Sequence, residues 1–254
     1  MQVVSRTHVG MVRDNNEDAL FVREPYLFAV ADGMGGHAAG EIASRATIRA
    51  FSAATKELRQ EHFQGNAAGV LWMAMQKANR HVFAMASGRE ELKGMGTTMT
   101  ALYLEEHDDG FAAFVAHVGD SRMYVYSEAE EKLIQVTRDQ TYVASLVAQG
   151  EITPEEASIH PQRHMLMKAI GVEEEIRPDV LEMQLKHNNR VLLCSDGLTD
   201  MLKEQEILEI FKMKELDAMA DALLEKALAN GGRDNITFIL IDLAGEEVSA
   251  DDGK

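Results

Sequence analysis

YLFAVADGMGGHAAGEIAS, residues 26–44, changes character at Asp32. Before it, Tyr26 to Ala31 is apolar on both faces, the pattern of a strand buried between two layers. After it, Ala43, Ala46, Ala50 and Ala54 recur at helical spacing through residue 60. The join spells G-x-G-x-x-A (Gly33, Gly35, Ala38), which superficially fits a dinucleotide-binding turn. Two features oppose that fit. Asp32 would aim a carboxylate at the pyrophosphate. The helix is also followed by a second one, 66–88, with Val70, Ala74, Ala78, Val82 and Met85 on one face, where a strand ending in an acid is required. What remains is an acid mounted on the end of a buried strand.

The same strand grammar recurs in TMTALYLEE (98–106), FAAFVAHVGD (111–120), RMYVYSE (122–128), RVLLCSD (190–196) and ITFILIDL (236–243). Short polar turns such as EEHDDG (105–110) favour antiparallel hairpins over parallel crossovers. A third periodic block, Leu216, Met219, Leu223, Ala227 and Leu228, precedes the last strand. Strands and helices are grouped rather than alternating, so the expected class is α+β, with packed sheets covered by helices. Residues 140–171 are short helical pieces interrupted by Gly150, Pro154 and Pro161, and read as an insertion over a surface. No repeat or linker divides the chain, and one domain over 1–244 with a disordered polar tail at 245–254 is expected.

Composition excludes whole classes of function. Forty-two Asp and Glu against 25 Lys and Arg give a net charge of −17. Nucleic-acid binding needs a basic surface, and anionic membrane leaflets repel an acidic one. A lone cysteine, Cys194, permits neither an internal disulfide nor a thiolate metal cluster and suits a reducing cytoplasm. It is followed six residues later by Asp200, not Arg, so cysteine-phosphatase chemistry is out; there is no G-x-S-x-G elbow either.

The carboxylates carry the chemistry. Asp32 and Asp196 end buried strands and precede glycines, Asp120 ends FVAHVGD, and Asp234 in GGRDN precedes ITFILIDL. One such Asp-Gly is ordinarily a turn. Four on strand ends can be gathered on one rim, where unpaired they would repel and raise each other's pKa. A hard divalent cation removes that cost, and oxygen-only ligands select Mg²⁺ or Mn²⁺ over zinc or copper. RDNNED (13–18), just before another strand, adds Glu17, Asp18 and Arg13, the residue type that binds phosphate bidentately.

These segments resemble the metal-dependent Ser/Thr protein phosphatases of type 2C (the PPM superfamily), in particular small bacterial stand-alone members. VRDNNED (12–18), VADGMGGHAAGEIAS (30–44), GMGTTMTA (94–101), HVGDSRMY (117–124), LVAQGEIT with HPQR (146–164), LLCSDGLTD (192–200) and GGRDNIT (231–237) stand in family order, and the resemblance spans roughly 5–243. It implies a four-layer α-β-β-α sandwich with a dinuclear metal centre in a cleft at one end. Asp32 would bridge two Mn²⁺ or Mg²⁺ ions; Asp196 and Asp234 would complete one site, Glu17 and the Gly33 carbonyl the other. Asp120, sharing Asp196, would serve a third, weaker metal; Asp18 and Asp200 would hold coordinated waters. Arg13 would bind the phosphate as a catalytic and substrate-binding residue, and His37 would be the general acid for the leaving alkoxide. Residues 140–171 correspond to the family's flap, and Gln140 departs from it, standing where His is frequent.

The expected activity is hydrolysis of phosphoserine and phosphothreonine in proteins by a cytoplasmic monomer opposing a Ser/Thr kinase. The alternative is a non-catalytic, metal-loaded module that binds phosphoproteins; a two-metal nuclease would share the acids but lacks a basic track. About seven of the 42 acids belong to the site. Two divalent cations and Arg13 would add about five positive charges there, enough at contact distance to outweigh a body field that salt screens within about 8 Å.

Overall fold

The computed structural model describes residues 1–24, 26–35, 39–60 and 66–244; His37 and the tail 245–254 lie outside the described residues. In chain order the elements are β1 (Gln2–His8), β2 (Ala19–Arg23), β3 (Leu27–Ala31), β4 (Gly33–Met34), α1 (Ala39–Gln60), α2 (Ala67–Gly88), β5 (Gly96–Thr97), β6 (Met99–His107), β7 (Gly110–Val118), β8 (Arg122–Ser127) and β9 (Lys132–Gln135). There follow α3 (Tyr142–Ala148), α4 (Pro154–Ser158), β10 (Asp179–Leu185), β11 (Asn189–Cys194), α5 (Asp196–Thr199), α6 (Glu204–Phe211), α7 (Leu216–Ala229) and β12 (Ile236–Asp242). The two long early helices and the late one fall where their periodicity places them.

Two five-stranded antiparallel sheets result, ordered β1-β12-β11-β8-β9 and β10-β7-β6-β3-β2, with β4 and β5 forming a small pair. The six continuous apolar runs in the sequence are the three inner strands of each sheet. The edges β1, β9, β10 and β2 are intermediate or exposed at nearly every residue and carry a weaker pattern. Period-two alternation sorts the inner strands' side chains into layers. On β3, Ala29 and Ala31 face α1 and α2 with Ala101, Ala116 and Val118, where small residues let Ala43, Phe51, Ala74 and Ala78 pack. Phe28 and Val30, pointing the other way, meet Leu102, Val115, Met123, Val191 and Ile239 between the sheets. Beyond the second sheet, Tyr124, Leu192, Cys194 and Phe238 pack against Leu198, Phe211, Met219 and Leu223 of α5, α6 and α7. The layers run helix, sheet, sheet, helix. Cys194 is fully buried and its thiol is pushed up to about 12, consistent with a packing role.

The antiparallel order decides where the acids go. His8, ending β1, pairs with Ile236, which starts β12; Cys194, ending β11, pairs with Phe238; Ala19, starting β2, pairs with Ala31, which ends β3; Val118, ending β7, pairs with Met99. The loops at these termini share one end of the sandwich. Residues 9–18 cross there from one sheet to the other. Pro154 does not break a helix as the interrupted pattern suggests: it opens α4 behind a Thr153–Glu156 capping box.

Candidate metal centre

Asp32 follows β3, Asp120 follows β7, Asp196 opens α5 directly after β11, and Asp234 precedes β12. Together with Arg13, Glu17, Gly33 and Asp200 they line one cleft of about 1980 Å³. Asp18 lies beneath it, buried, and interacts electrostatically with Asp196 and Asp234. Every site residue expected from sequence is thus gathered at this end except His37, which lies outside the described residues.

Several of these acids are held through their backbone or by a neutral partner. The Asp32 N–H donates to Thr98 Oγ1 (2.9 Å), and its carbonyl accepts from Thr97 Oγ1 (2.7 Å) and the Thr98 N–H (2.8 Å). Ser195 Oγ donates to Asp18 Oδ2 at 2.8 Å. The crossing loop is pinned by Asn235, whose Nδ2 donates to the carbonyls of Val9 (2.9 Å) and Asn15 (2.8 Å) while its Oδ1 accepts from the Glu17 N–H (2.8 Å). Gly33 is fixed by crowding: a Cβ there would sit 2.1 Å from the Gly40 carbonyl oxygen and 2.6 Å from that of Glu17. At Gly197 it would sit 2.0 Å from the Asn235 oxygen. The chains converge too closely for any side chain at either position.

Electrostatically the cluster is under-compensated. Burial, then Asp18, Asp196, Asp120 and Asp234, hold the Asp32 carboxyl well above its ordinary value. Asp32 lines the cleft and is partly exposed. Burial with Asp196 and Asp139 raises Asp120, against Arg122. Burial raises Asp18 to about 7, and it raises Glu17 and Asp200 as well. Among the described residues, the cation in closest contact with these acids is Arg13, whose Nη2 lies 2.7 Å from Asp234 Oδ2. Asp18 Oδ1 and Asp196 Oδ1 are buried without a hydrogen-bond partner among the described residues. Orphaned carboxylate oxygens in an all-oxygen set that raises its own pKa values fit hard divalent cations.

His164 is a residue to which the sequence motifs assign no role. Its Nδ1 lies 3.7 Å from Asp196 Oδ2 and 3.7 Å from Asp200 Oδ2, and the three could together hold an ion. Asp196 raises the His164 pKa first, by hydrogen bonding, and the Asp200 charge adds to it. Its only sequence signal was its place just after HPQR in the insertion. Asn235, Thr98 and Ser195 were missed as holders of the acids because single polar residues beside strands have no distinctive spacing.

The fold, the rim of carboxylates and the crossing loop define a metal-dependent phosphatase scaffold, and the chain belongs to the protein phosphatase 2C family, which it matches over residues 7–231. It is 39% identical over 243 residues to the serine/threonine protein phosphatase PstP of Mycobacterium tuberculosis, covering 96% of this chain and 45% of that protein, so it spans about half of that relative's length. It is 37% identical over 247 residues to the serine/threonine phosphatase stp of Listeria monocytogenes, with 95% and 96% of the two chains covered. The crystal structure of the PstP catalytic domain in complex with two manganese ions superposes with a TM-score of 0.82 at 37% identity, covering 95% of this chain and 97% of that one.

Proposed function

We propose that this chain hydrolyses phosphoserine and phosphothreonine esters of proteins with divalent metal, opposing a Ser/Thr kinase. The observation that carries the reading is the rim itself: carboxylates from both sheets line one cleft, Asp196 and the Asp18 beneath it each keep an orphaned oxygen, and Arg13 pairs with Asp234. Asp32 is proposed as the carboxylate shared by two ions, Asp196 and Asp234 as further ligands of one, and Glu17 and the Gly33 carbonyl as ligands of the other. A third ion would be held by Asp120 with Asp196, while Asp18 and Asp200 would orient waters. Bound there, divalent cations would supply acidification of a water and positive charge against the phosphate. Mn²⁺ or Mg²⁺ suits the donor set.

The chain's own residues supply the rest. Arg13 is half-exposed and shares one terminal nitrogen with Asp234, which leaves its planar fork able to take two phosphate oxygens and orient the ester for in-line attack. Thr97 and Thr98 hold the Asp32 backbone so that its carboxylate need not reorganise. His37 is proposed to protonate the leaving alkoxide. Residues 140–171 are proposed as a flap over a single catalytic domain, 1–244, acting as a monomer in the cytoplasm. No helix among the described residues is long and apolar enough to cross a membrane.

The test is hydrolysis of a phosphothreonine peptide with Mn²⁺, with EDTA, and in Asp32→Ala and Asp196→Ala. The expected outcome is turnover that needs the metal and falls by at least 10²-fold in either variant. Activity surviving EDTA or either substitution would sink the two-metal reading. Tight phosphopeptide binding without turnover by the metal-loaded protein would replace it with the binding module.

A further inference from the structure

Residues 141–167 leave the body of the protein at Gln140 and return at Lys168, and both ends are fastened to one side chain. Gln140 Nε2 donates to Asp179 Oδ2 at 2.9 Å, and Lys168 Nζ reaches Asp179 Oδ1 at 3.4 Å and the Arg177 carbonyl at 3.3 Å. Asp179 is the first residue of β10, the edge of its sheet. The two departing chains are also joined to each other, since the Met167 N–H donates to the Gln140 carbonyl (2.8 Å) and the Tyr142 N–H to that of Met165 (2.7 Å).

The other half of the Gln140 amide faces inward. Its Oε1 accepts from the Gly119 N–H (3.0 Å), and its backbone N–H donates to the Gly119 carbonyl (2.8 Å). Gly119 is the residue before Asp120 and has φ +104°, a conformation that favours glycine. One planar amide therefore spends its acceptor on the turn that carries a cleft acid and its donor on the anchor of the insertion. A carboxylate at this position would keep the first bond and lose the second, because it has no proton to donate.

We propose that Gln140 and Asp179 form a buckle that sets the height of the 140–171 segment over the cleft, and that they are positioning residues for phosphoprotein substrates. The proposal rests on the phosphatase reading. Neither residue touches the reacting phosphate. The segment contributes Val143, Val147, Ala157 and Ile159 to the cleft lining, with Arg163 and His164, whereas the acids come from the sheet ends. A phosphorylated polypeptide has to pass between these two walls, and a small aryl phosphate needs only the acids. The buckle therefore bears far more on the first substrate class than on the second.

The experiment is a reversal of donor and acceptor across the pair. In Gln140→Glu, two carboxylates face each other where a 2.9 Å hydrogen bond stood. In Gln140→Glu/Asp179→Asn, the asparagine amide donates to the glutamate and the bond returns with opposite polarity. With Mn²⁺, Gln140→Glu is expected to raise KM for a phosphothreonine peptide on the order of tenfold and to leave p-nitrophenyl phosphate hydrolysis within about twofold of wild type, and the double variant is expected to recover most of the loss. In metal-free protein, hydrogen exchange at the Met167 amide is expected to quicken about tenfold in Gln140→Glu and to slow again in the double variant. Equal losses on both substrates, no recovery in the double variant, or unchanged Met167 exchange would each overturn the buckle. A wild type inactive on both substrates would overturn the phosphatase reading alone, and the exchange cycle would still decide the buckle.

Discussion

Asp18→Asn in metal-free protein isolates the cost of crowding carboxylates under the cleft. The Asp18 carboxyl is held at about 7 against 3.8 in the open chain, chiefly by burial, with the Thr237 and Ser195 hydroxyls pulling it down and Asp196 and Asp234 pushing it up. A folded value above the unfolded one means that the folded state binds the proton more tightly. The associated stability is fully present below about pH 4 and is lost as pH rises through about 7. The separation from 3.8 to about 7 corresponds to about 4 kcal/mol at 1.36 kcal/mol per pH unit. Whole domains are stable by only about 5–15 kcal/mol, so the penalty is a large share. Asp32 and Asp120 shift in the same direction, and the protons belong to the cluster more than to one member. Urea melts in EDTA are the assay. Wild type is expected to weaken steadily from about pH 5 to pH 8. The asparagine variant keeps an oxygen for Ser195, carries no charge, and is expected to fall less and to exceed wild type by a few kcal/mol above about pH 7. Metal-free wild type whose stability is flat or rises over that range would refute the reasoning, as would an asparagine variant running parallel to it.

Asn235→Ala removes three hydrogen bonds that pin residues 9–17, at 2.8 to 2.9 Å; a loss of about 2–4 kcal/mol in a thermal melt is expected, with metal affinity falling as Glu17 is released. Gly33→Ala forces a Cβ against the Gly40 and Glu17 carbonyls, so calorimetric titration with Mn²⁺ is expected to show at least tenfold weaker binding, since overpacking of this kind costs about 1–3 kcal/mol.

What was legible in the sequence follows from burial. The three inner strands of each sheet are covered on both faces, so β3, β6, β7, β8, β11 and β12 appear as continuous apolar runs. Of the four edges, only β2 was foreshadowed, as the strand after RDNNED; β1, β9 and β10 alternate with polar residues and merge with their loops. Asp32, Asp120, Asp196 and Asp234 were legible because the runs end on them. That they meet is a property of strand order, which a list of strands does not contain but the resemblance supplied. Asn235, Thr98 and Ser195 act through a few hydrogen bonds each, and nothing in their neighbours' spelling marks such a bond. His164 and Gln140 lie in or at the base of the segment without strand periodicity, so their partners on α5 and β10 could not be read from register.

The acids are divided between the sheets: Asp32 and Asp120 hang from one, Asp196 and Asp234 from the other. The gap between the two sets is therefore the thickness of the apolar layer in which Phe28, Met123 and Ile239 lie. Packed interiors transmit volume changes instead of absorbing them. The sandwich works as a caliper whose jaws carry the carboxylates, and its inner layer is the shim that sets the opening. With the proposed cations in place, a methylene added or removed deep in that layer would alter which cation radius the jaws grip, at a distance from any proposed ligand.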